Sequence, residues 1–106
     1  MSSKNCILVT GASGRTGRAV IAALHNKGAY SRAFIRREEV ADELKKIGAD
    51  EIALGDLFDD ASLAAAVTGW DQVIHICPPM SPEEATLAKK MTDLCLAKGV
   101  RRLVLY

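Results

Sequence analysis

The chain has 106 residues, 49% of them hydrophobic and 25% charged, which predicts one folded domain with a modest core. Lys and Arg number 14 and Asp and Glu 13, so the net charge of +1 gives no reason to expect nucleic acid or a membrane surface as a partner. No apolar run is long enough to span a bilayer and the polar N-terminus is too short for a signal peptide, so we expect a cytoplasmic protein. Cys6, Cys77 and Cys95 lack metal-ligand spacing and are expected to be reduced core residues.

Strand and helix patterns alternate along the whole chain. Short apolar runs predict strands over residues 5–10, 31–36, 51–54, 72–77 and 101–106. Apolar residues at helical spacing predict helices over 15–27, 39–47, 60–67 and 83–98. Strict alternation predicts an α/β fold: a Rossmann-like, doubly wound parallel sheet of five strands in the order 3-2-1-4-5. A ligand is then expected above the ends of strands one and four, where the winding direction changes.

Capping residues mark the ends of these helices. Asp59 or Asp60 is placed to cap the third helix, and the segment 81–84, SPEE, is typical of a capping box at the start of the fourth. Each helix is followed by a glycine, as is common where a chain leaves a helix: Gly28, Gly48, Gly69 and Gly99.

The segment 7–17, ILVTGASGRTG, is the most informative of the chain. A buried strand leads into a G-x-x-G-x-x-G loop, and a helical pattern follows at once. Glycines at this spacing allow a sharp turn, close approach of a pyrophosphate and tight packing of helix on strand, while the helix N-terminus favours an anion. The pattern predicts a dinucleotide cofactor, and its alternative is a tight turn without a ligand. The candidate contacts are Gly11, Ser13, Gly14, Arg15, Thr16 and Gly17.

The second predicted strand ends in Arg36 and Arg37. NAD-preferring proteins place a carboxylate here for the ribose hydroxyl, whereas a guanidinium suits the 2′-phosphate of NADP. We therefore expect NADP rather than NAD, with Arg36 as the main contact and Arg37 or Arg15 assisting. The alternative is a solvated basic pair that faces the glutamates at 38–39.

Two further strand ends carry candidate residues. Asp56 can accept a hydrogen bond from an adenine amino group while Leu57 covers the ring, or Asp56 can simply cap a turn. The fourth strand leads into Pro78 and Pro79, which stiffen a loop that is expected to border the nicotinamide ribose. His75 lies in an apolar strand, so we expect a buried structural histidine.

These residues nominate no catalytic acid, nucleophile or metal site. Tyr106 lies in a strand with nothing after it, and Tyr30 has no lysine four residues later. Neither therefore matches the tyrosine–lysine pair of short-chain dehydrogenases.

The loop 10–17, Arg36, the segment 55–57 and the segment 101–106 (RRLVLY) together resemble one family. They are similar to the N-terminal half of NmrA-like, NAD(P)-binding atypical short-chain dehydrogenases/reductases. The resemblance implies the cofactor contacts named above, places Cys77 and Pro78 beside the nicotinamide, and implies a substrate region that follows this domain. It implies a reductase of small carbonyls, quinones or enones; the alternative is a non-catalytic NADP(H) redox sensor acting through a regulatory protein partner.

The chain ends inside the apolar segment 101–106, whereas natural termini are usually polar. We expect residues 1–106 to be an NAD(P)-binding domain that is the N-terminal part of a longer protein or a truncated product.

Overall fold

The computed structural model describes residues 6–56, 59–68, 70, 72–76 and 84–105. Strands and helices alternate through these residues, as the apolar patterns predict. In chain order they are β1 (Cys6–Thr10), α1 (Arg15–Asn26), β2 (Tyr30–Ile35), α2 (Ala41–Ile47), β3 (Glu51–Leu54), α3 (Asp60–Val67), β4 (Gln72–His75), α4 (Glu84–Lys98) and β5 (Arg102–Leu105).

The five strands form a parallel sheet in the order β3-β2-β1-β4-β5. This confirms the predicted Rossmann-like fold and its strand order. The strand β1 pairs with β2 on one side and with β4 on the other, so the winding direction changes beside β1. The sheet therefore opens its ligand crevice at the carboxyl ends of β1 and β4.

Helices cover both faces of the sheet, and β1 is buried between them. Ile7 and Val9 pack in a core cluster with α1 and α2, whereas Leu8 packs with α3 and α4 on the opposite face. A strand covered on both faces must be apolar at successive positions, which explains the unbroken run of Ile, Leu and Val in β1. None of the helices in the described part of the chain is long and apolar enough to cross a membrane.

The helix ends differ slightly from the predicted ones. Asp59, not Asp60, caps α3, because its Oδ1 accepts a hydrogen bond from the Ala61 amide at 3.2 Å. A 3₁₀ turn, Glu38–Val40, precedes α2, so the regular helix begins two residues later than predicted. Residues 81–83 of the predicted capping box lie outside the described residues, as do Gly69 and Cys77.

The two described cysteines differ in burial. Cys95 lies in the core beside α3, as predicted, whereas Cys6 is only half-buried because it is the first residue of β1, at the amino end of this central strand.

An aromatic and charged cluster joins β2, β3 and the segment before β4 at the amino edge of the sheet. The rings of Tyr30 and Trp70 stack with centroids 6.0 Å apart, and the Arg32 guanidinium lies 4.5 Å from the centre of the Trp70 ring. Glu51 accepts a hydrogen bond from the Tyr30 hydroxyl at 2.7 Å and forms an ion pair with Arg32 at 2.7 Å. These two contacts lower the pKa of Glu51, with the Tyr30 hydrogen bond the larger cause. The cluster holds the edge strand β3 to the sheet at the end opposite the crevice.

We expect Trp70→Ala to destabilise the protein by about 3–5 kcal/mol, because it removes a buried ring that both Tyr30 and Arg32 contact. The free energy of unfolding in urea measures the effect. Leu96→Ala is the matched control: its side chain is 75% exposed, so the change should stay within about 0.5 kcal/mol. Equal losses for the two variants would contradict a stabilising role for the cluster.

Candidate dinucleotide-binding site

The carboxyl ends of the parallel strands bring most of the predicted site residues to one edge of the sheet. The glycine loop follows β1, Arg36 and Arg37 follow β2, and Asp56 follows β3. Parallel strands end at the same edge, so these segments face the same crevice. The other three predicted contacts, Leu57, Cys77 and Pro78, lie outside the described residues.

The glycine loop makes a closed turn between β1 and α1. Gly11 has a φ of +64°, which a residue without a Cβ adopts readily. The Gly14 amide donates to the Gly11 carbonyl at 3.3 Å, and the Arg18 amide donates to the Gly14 carbonyl at 2.9 Å. The helix α1 therefore begins directly after the turn, with its N-terminus at the crevice.

The three glycines of the loop are required for different reasons. A Cβ on Gly11 would collide with the Ile76 carbonyl at the end of β4, and one on Gly17 would collide with the Gly11 carbonyl and lie 2.6 Å from the Ala12 Cα. A Cβ on Gly14 would meet only the Gly11 carbonyl, at an ordinary 3.7 Å, and its φ of −80° suits any residue. Gly11 and Gly17 are thus needed by the fold, whereas nothing described in the protein requires glycine at position 14.

The N-terminus of α1 is left open to an anion. Gly14 is the N-cap residue and supplies no side-chain hydrogen bond, and the first turn holds no acidic residue. The amides of the first turn and the helix dipole therefore present positive potential to the crevice. Ser13 and Arg15 are exposed beside them and Thr16 is half-buried.

The arginines that follow β2 are available to a ligand. Arg36 and Arg37 are both exposed, and within the described chain neither forms an ion pair with the glutamates at 38–39 or with another residue. Among the described residues, no ion pair neutralises the charge of either arginine.

Comparisons with known proteins settle the family. The family model described as NAD(P)H-binding matches residues 11–106, which is nearly the whole chain. The chain belongs to this NAD(P)H-binding family. Its cofactor is accordingly a nicotinamide dinucleotide.

Relatives of this NAD(P)H-binding chain are longer than it is. An uncharacterized chloroplastic protein of Arabidopsis thaliana is 37% identical over 81 residues, which are 72% of this chain and 24% of that protein. The structure of a Bacillus halodurans protein assigned as a NAD-dependent epimerase/dehydratase has a TM-score of 0.81 at 28% identity and covers 94% of this chain and 50% of its own. An NADPH-dependent quinone oxidoreductase of Escherichia coli has a TM-score of 0.73 at 26% identity and covers 93% and 34%. The chain thus spans about half or less of these relatives, whose names include both NAD and NADPH.

The third strand of the NAD(P)H-binding sheet ends in a turn that fixes Asp56. The Asp56 amide donates to the Ser62 hydroxyl at 3.1 Å, and its carbonyl accepts from the Asp59 amide at 2.9 Å. A Cβ on Gly55 would lie 2.7 Å from both the Phe34 ring and the Ser62 hydroxyl, so this glycine lets the turn close on α3. These bonds place the Asp56 backbone in a turn after β3, and its side chain is half-buried.

A polar link that the sequence did not reveal joins β1 to β4 under the glycine loop. Thr10 Oγ1 lies 2.8 Å from His75 Nδ1 and accepts a hydrogen bond from the Ile76 amide at 3.0 Å. The sequence carries only a weak signal for this link: Thr10 and His75 are polar residues at the ends of two apolar strands that are predicted to be neighbours. This link ties the two strand ends together where the crevice opens.

His75 is the buried structural histidine that the sequence predicts. Its side chain is 2% exposed, and within the described part of the chain its Nε2 has no hydrogen-bond partner. Burial lowers its pKa because the charged form loses its hydration. Burial therefore favours the neutral imidazole in the folded protein.

We expect the free energy of unfolding to fall as the pH drops below about 6.5, the ordinary pKa of histidine. Above that value His75 is neutral in both states and has no effect. Below it the unfolded chain takes up a proton that the folded chain resists, so unfolding becomes more favourable until the lowered folded pKa is reached.

Urea unfolding of His75→Leu and the wild type between pH 5 and pH 8 measures this effect. The His75→Leu profile should be flatter, whereas His25→Gln, at an exposed position, should keep the wild-type profile. An unchanged slope in His75→Leu would mean that another group sets the pH dependence.

The sequence also did not reveal that Arg18 contacts the glycine loop. Its Nε donates to the Ser13 carbonyl at 2.9 Å, and its guanidinium forms an ion pair with Glu43 of α2 at 2.7 Å. This contact lowers the pKa of the Glu43 carboxyl and raises the pKa of Arg18. One signal in the sequence could have pointed to this contact. Arg18 lies near the start of a helix whose first turn has no acidic residue, although the helix dipole favours acids there.

Proposed function

We propose that residues 1–106 are the NADP(H)-binding domain of an NmrA-like reductase that acts on a small carbonyl, quinone or enone. The bound cofactor supplies the hydride in such a reaction. The residues of this chain bind and orient the dinucleotide: the glycine loop holds its pyrophosphate, and the residues after β2 and β3 hold its adenosine end. Substrate-binding and proton-donating groups then come from a region that this chain does not contain.

One observation carries the cofactor assignment. Gly14 is exposed, has an extended backbone and has room for a Cβ, yet it lies at the uncapped N-terminus of α1. The described fold does not require glycine at this position. A ligand that approaches the backbone closely would explain why the position carries no side chain. A pyrophosphate fits, because it is anionic and the helix N-terminus offers amide donors.

The preference for NADP rests on the basic residues at the end of β2. Arg36, assisted by Arg37 or Arg15, offers an exposed guanidinium for the 2′-phosphate, with no carboxylate at the position where NAD-preferring proteins carry one. Asp56 and Leu57 then serve the adenine, and Cys77 and Pro78 border the nicotinamide side.

The reductase assignment draws on the relatives. The NADPH-dependent quinone oxidoreductase of E. coli shares the fold over 93% of this chain. If the whole protein is a reductase, it oxidises NADPH in the presence of a quinone or carbonyl compound. A sensor would instead distinguish NADP from NADPH in binding and oxidise no NADPH with any member of a quinone panel.

We expect Gly14→Ala to keep the fold and weaken the dinucleotide. Its free energy of unfolding should stay within about 1 kcal/mol of the wild type, the usual effect of this change at an N-cap. Affinity for NADP, measured by calorimetry, should fall about tenfold or more, because the methyl group occupies the surface that the pyrophosphate approaches. Gly17→Ala provides the contrast, since its collision with backbone should disrupt folding itself. Wild-type affinity in a folded Gly14→Ala protein would remove the main support for the site.

We expect Arg36→Ala to lower affinity for NADP about tenfold or more while affinity for NAD stays unchanged, because only NADP carries the 2′-phosphate. Calorimetric titration with both dinucleotides gives the ratio. Arg101→Ala is the control: this arginine is also exposed but precedes β5 at the opposite edge of the sheet. An unchanged NADP-to-NAD ratio in Arg36→Ala would refute the assignment of the 2′-phosphate contact.

A further inference from the structure

Arg18 connects the glycine loop to the neighbouring helix. Its Nε reaches back along α1 to the Ser13 carbonyl at 2.9 Å, while its terminal nitrogen pairs with Glu43 of α2 at 2.7 Å. A planar guanidinium presents these donors in a fixed arrangement, so one contact orients the other. Glu43 therefore aims Arg18 at the loop.

The energetics of the ion pair point to a role in geometry. The Arg18 and Glu43 side chains are 31% and 57% exposed, and exposed ion pairs add little stability. A cation so near the start of α1 also opposes the helix dipole. Neither the helix dipole nor the stability of an exposed ion pair therefore favours an arginine at this position.

The contact with Ser13 completes the bonding of one peptide unit. The carbonyl of the Ser13–Gly14 peptide accepts from Arg18, and the amide of the same peptide donates to the Gly11 carbonyl at 3.3 Å. Because the unit is planar, holding both of its polar groups fixes its rotation. If this peptide flipped, the Ser13 oxygen would turn toward the Gly11 carbonyl, and the hydrogen bond that closes the loop would be lost.

We propose that Arg18, aimed by Glu43, is a positioning residue that holds the Ser13–Gly14 peptide in the orientation that admits the pyrophosphate. This inference rests on the proposed function. Because NAD and NADP share the pyrophosphate, loss of Arg18 lowers the affinity for both dinucleotides by the same factor. Arg36 differs, because its loss weakens NADP alone.

The test compares three variants of the chain with the wild type. Arg18→Gln removes the guanidinium, and Arg18→Lys keeps a cation that reaches one partner at a time. The double variant R18E/E43R restores an ion pair between α1 and α2 but leaves no donor for the Ser13 carbonyl. Asp60→Asn is the control, since it removes the ion pair of 2.7 Å between Asp60 and Lys90 on the other face of the sheet.

Two readouts are measured for each protein. Calorimetry gives affinities for NADP, NAD and 2′-AMP, the last of which carries the 2′-phosphate without the pyrophosphate. Hydrogen exchange of the backbone amides in the loop 11–17 is followed without cofactor, so it reports the order of the loop independently of binding.

The expected result is a shared loss. Arg18→Gln should weaken NADP and NAD equally, about three- to tenfold, leave 2′-AMP unchanged and speed exchange in the loop. Arg18→Lys should be intermediate, R18E/E43R should resemble Arg18→Gln, and Asp60→Asn should resemble the wild type.

Other results overturn the inference in distinguishable ways. Unchanged exchange or unchanged affinity in Arg18→Gln, with a wild type that binds, refutes the positioning role and leaves the proposed function standing. Recovery of affinity in R18E/E43R refutes it too, because the ion pair between the helices would then suffice. A wild type that binds neither dinucleotide refutes the proposed function, and the inference with it.

Discussion

The structure depends on the close contact between the start of the glycine loop and the end of β4. The Gly11 backbone lies so near the Ile76 carbonyl that no side chain fits between them, and Gly17 lies equally close to Gly11. Below this contact Thr10 joins the His75 imidazole and the Ile76 amide. The strands β1 and β4 are thereby fixed at the point where the sheet changes winding direction, and α1 is held with its N-terminus at the crevice.

The stabilising side-chain cluster and the proposed binding site lie at opposite ends of the strands. At the amino edge, the Tyr30, Trp70, Arg32 and Glu51 cluster satisfies its charges internally. At the carboxyl edge, α1 begins without a side-chain cap and Arg36 stands exposed without a described partner. Unsatisfied donors and charges concentrate where an anionic ligand is proposed, which is the usual arrangement in open α/β sheets.

Much of the fold was predictable because its signals are local. Apolar spacing predicted the described strands and helices to within two residues, and alternation predicted the strand order. The misplaced start of α2 has a local cause, since the chain passes through the 3₁₀ turn Glu38–Val40 before it becomes regular. The cap of α3 could not be assigned between two adjacent aspartates, because the choice depends on which one has extended backbone.

Some features of the site are likewise visible in the sequence, and others only in the folded protein. The sequence by itself determined the glycine spacing, the arginines after β2 and the family, because each is written in a short segment. Only the tertiary structure decided that Gly11 and Gly17 are needed for packing whereas Gly14 has room for a side chain, since that distinction depends on what a Cβ would meet. The Thr10–His75 link joins residues 65 positions apart, and the Arg18–Glu43 pair joins two helices. Such contacts exist only once the sheet and its helices have assembled, so no local pattern encodes them.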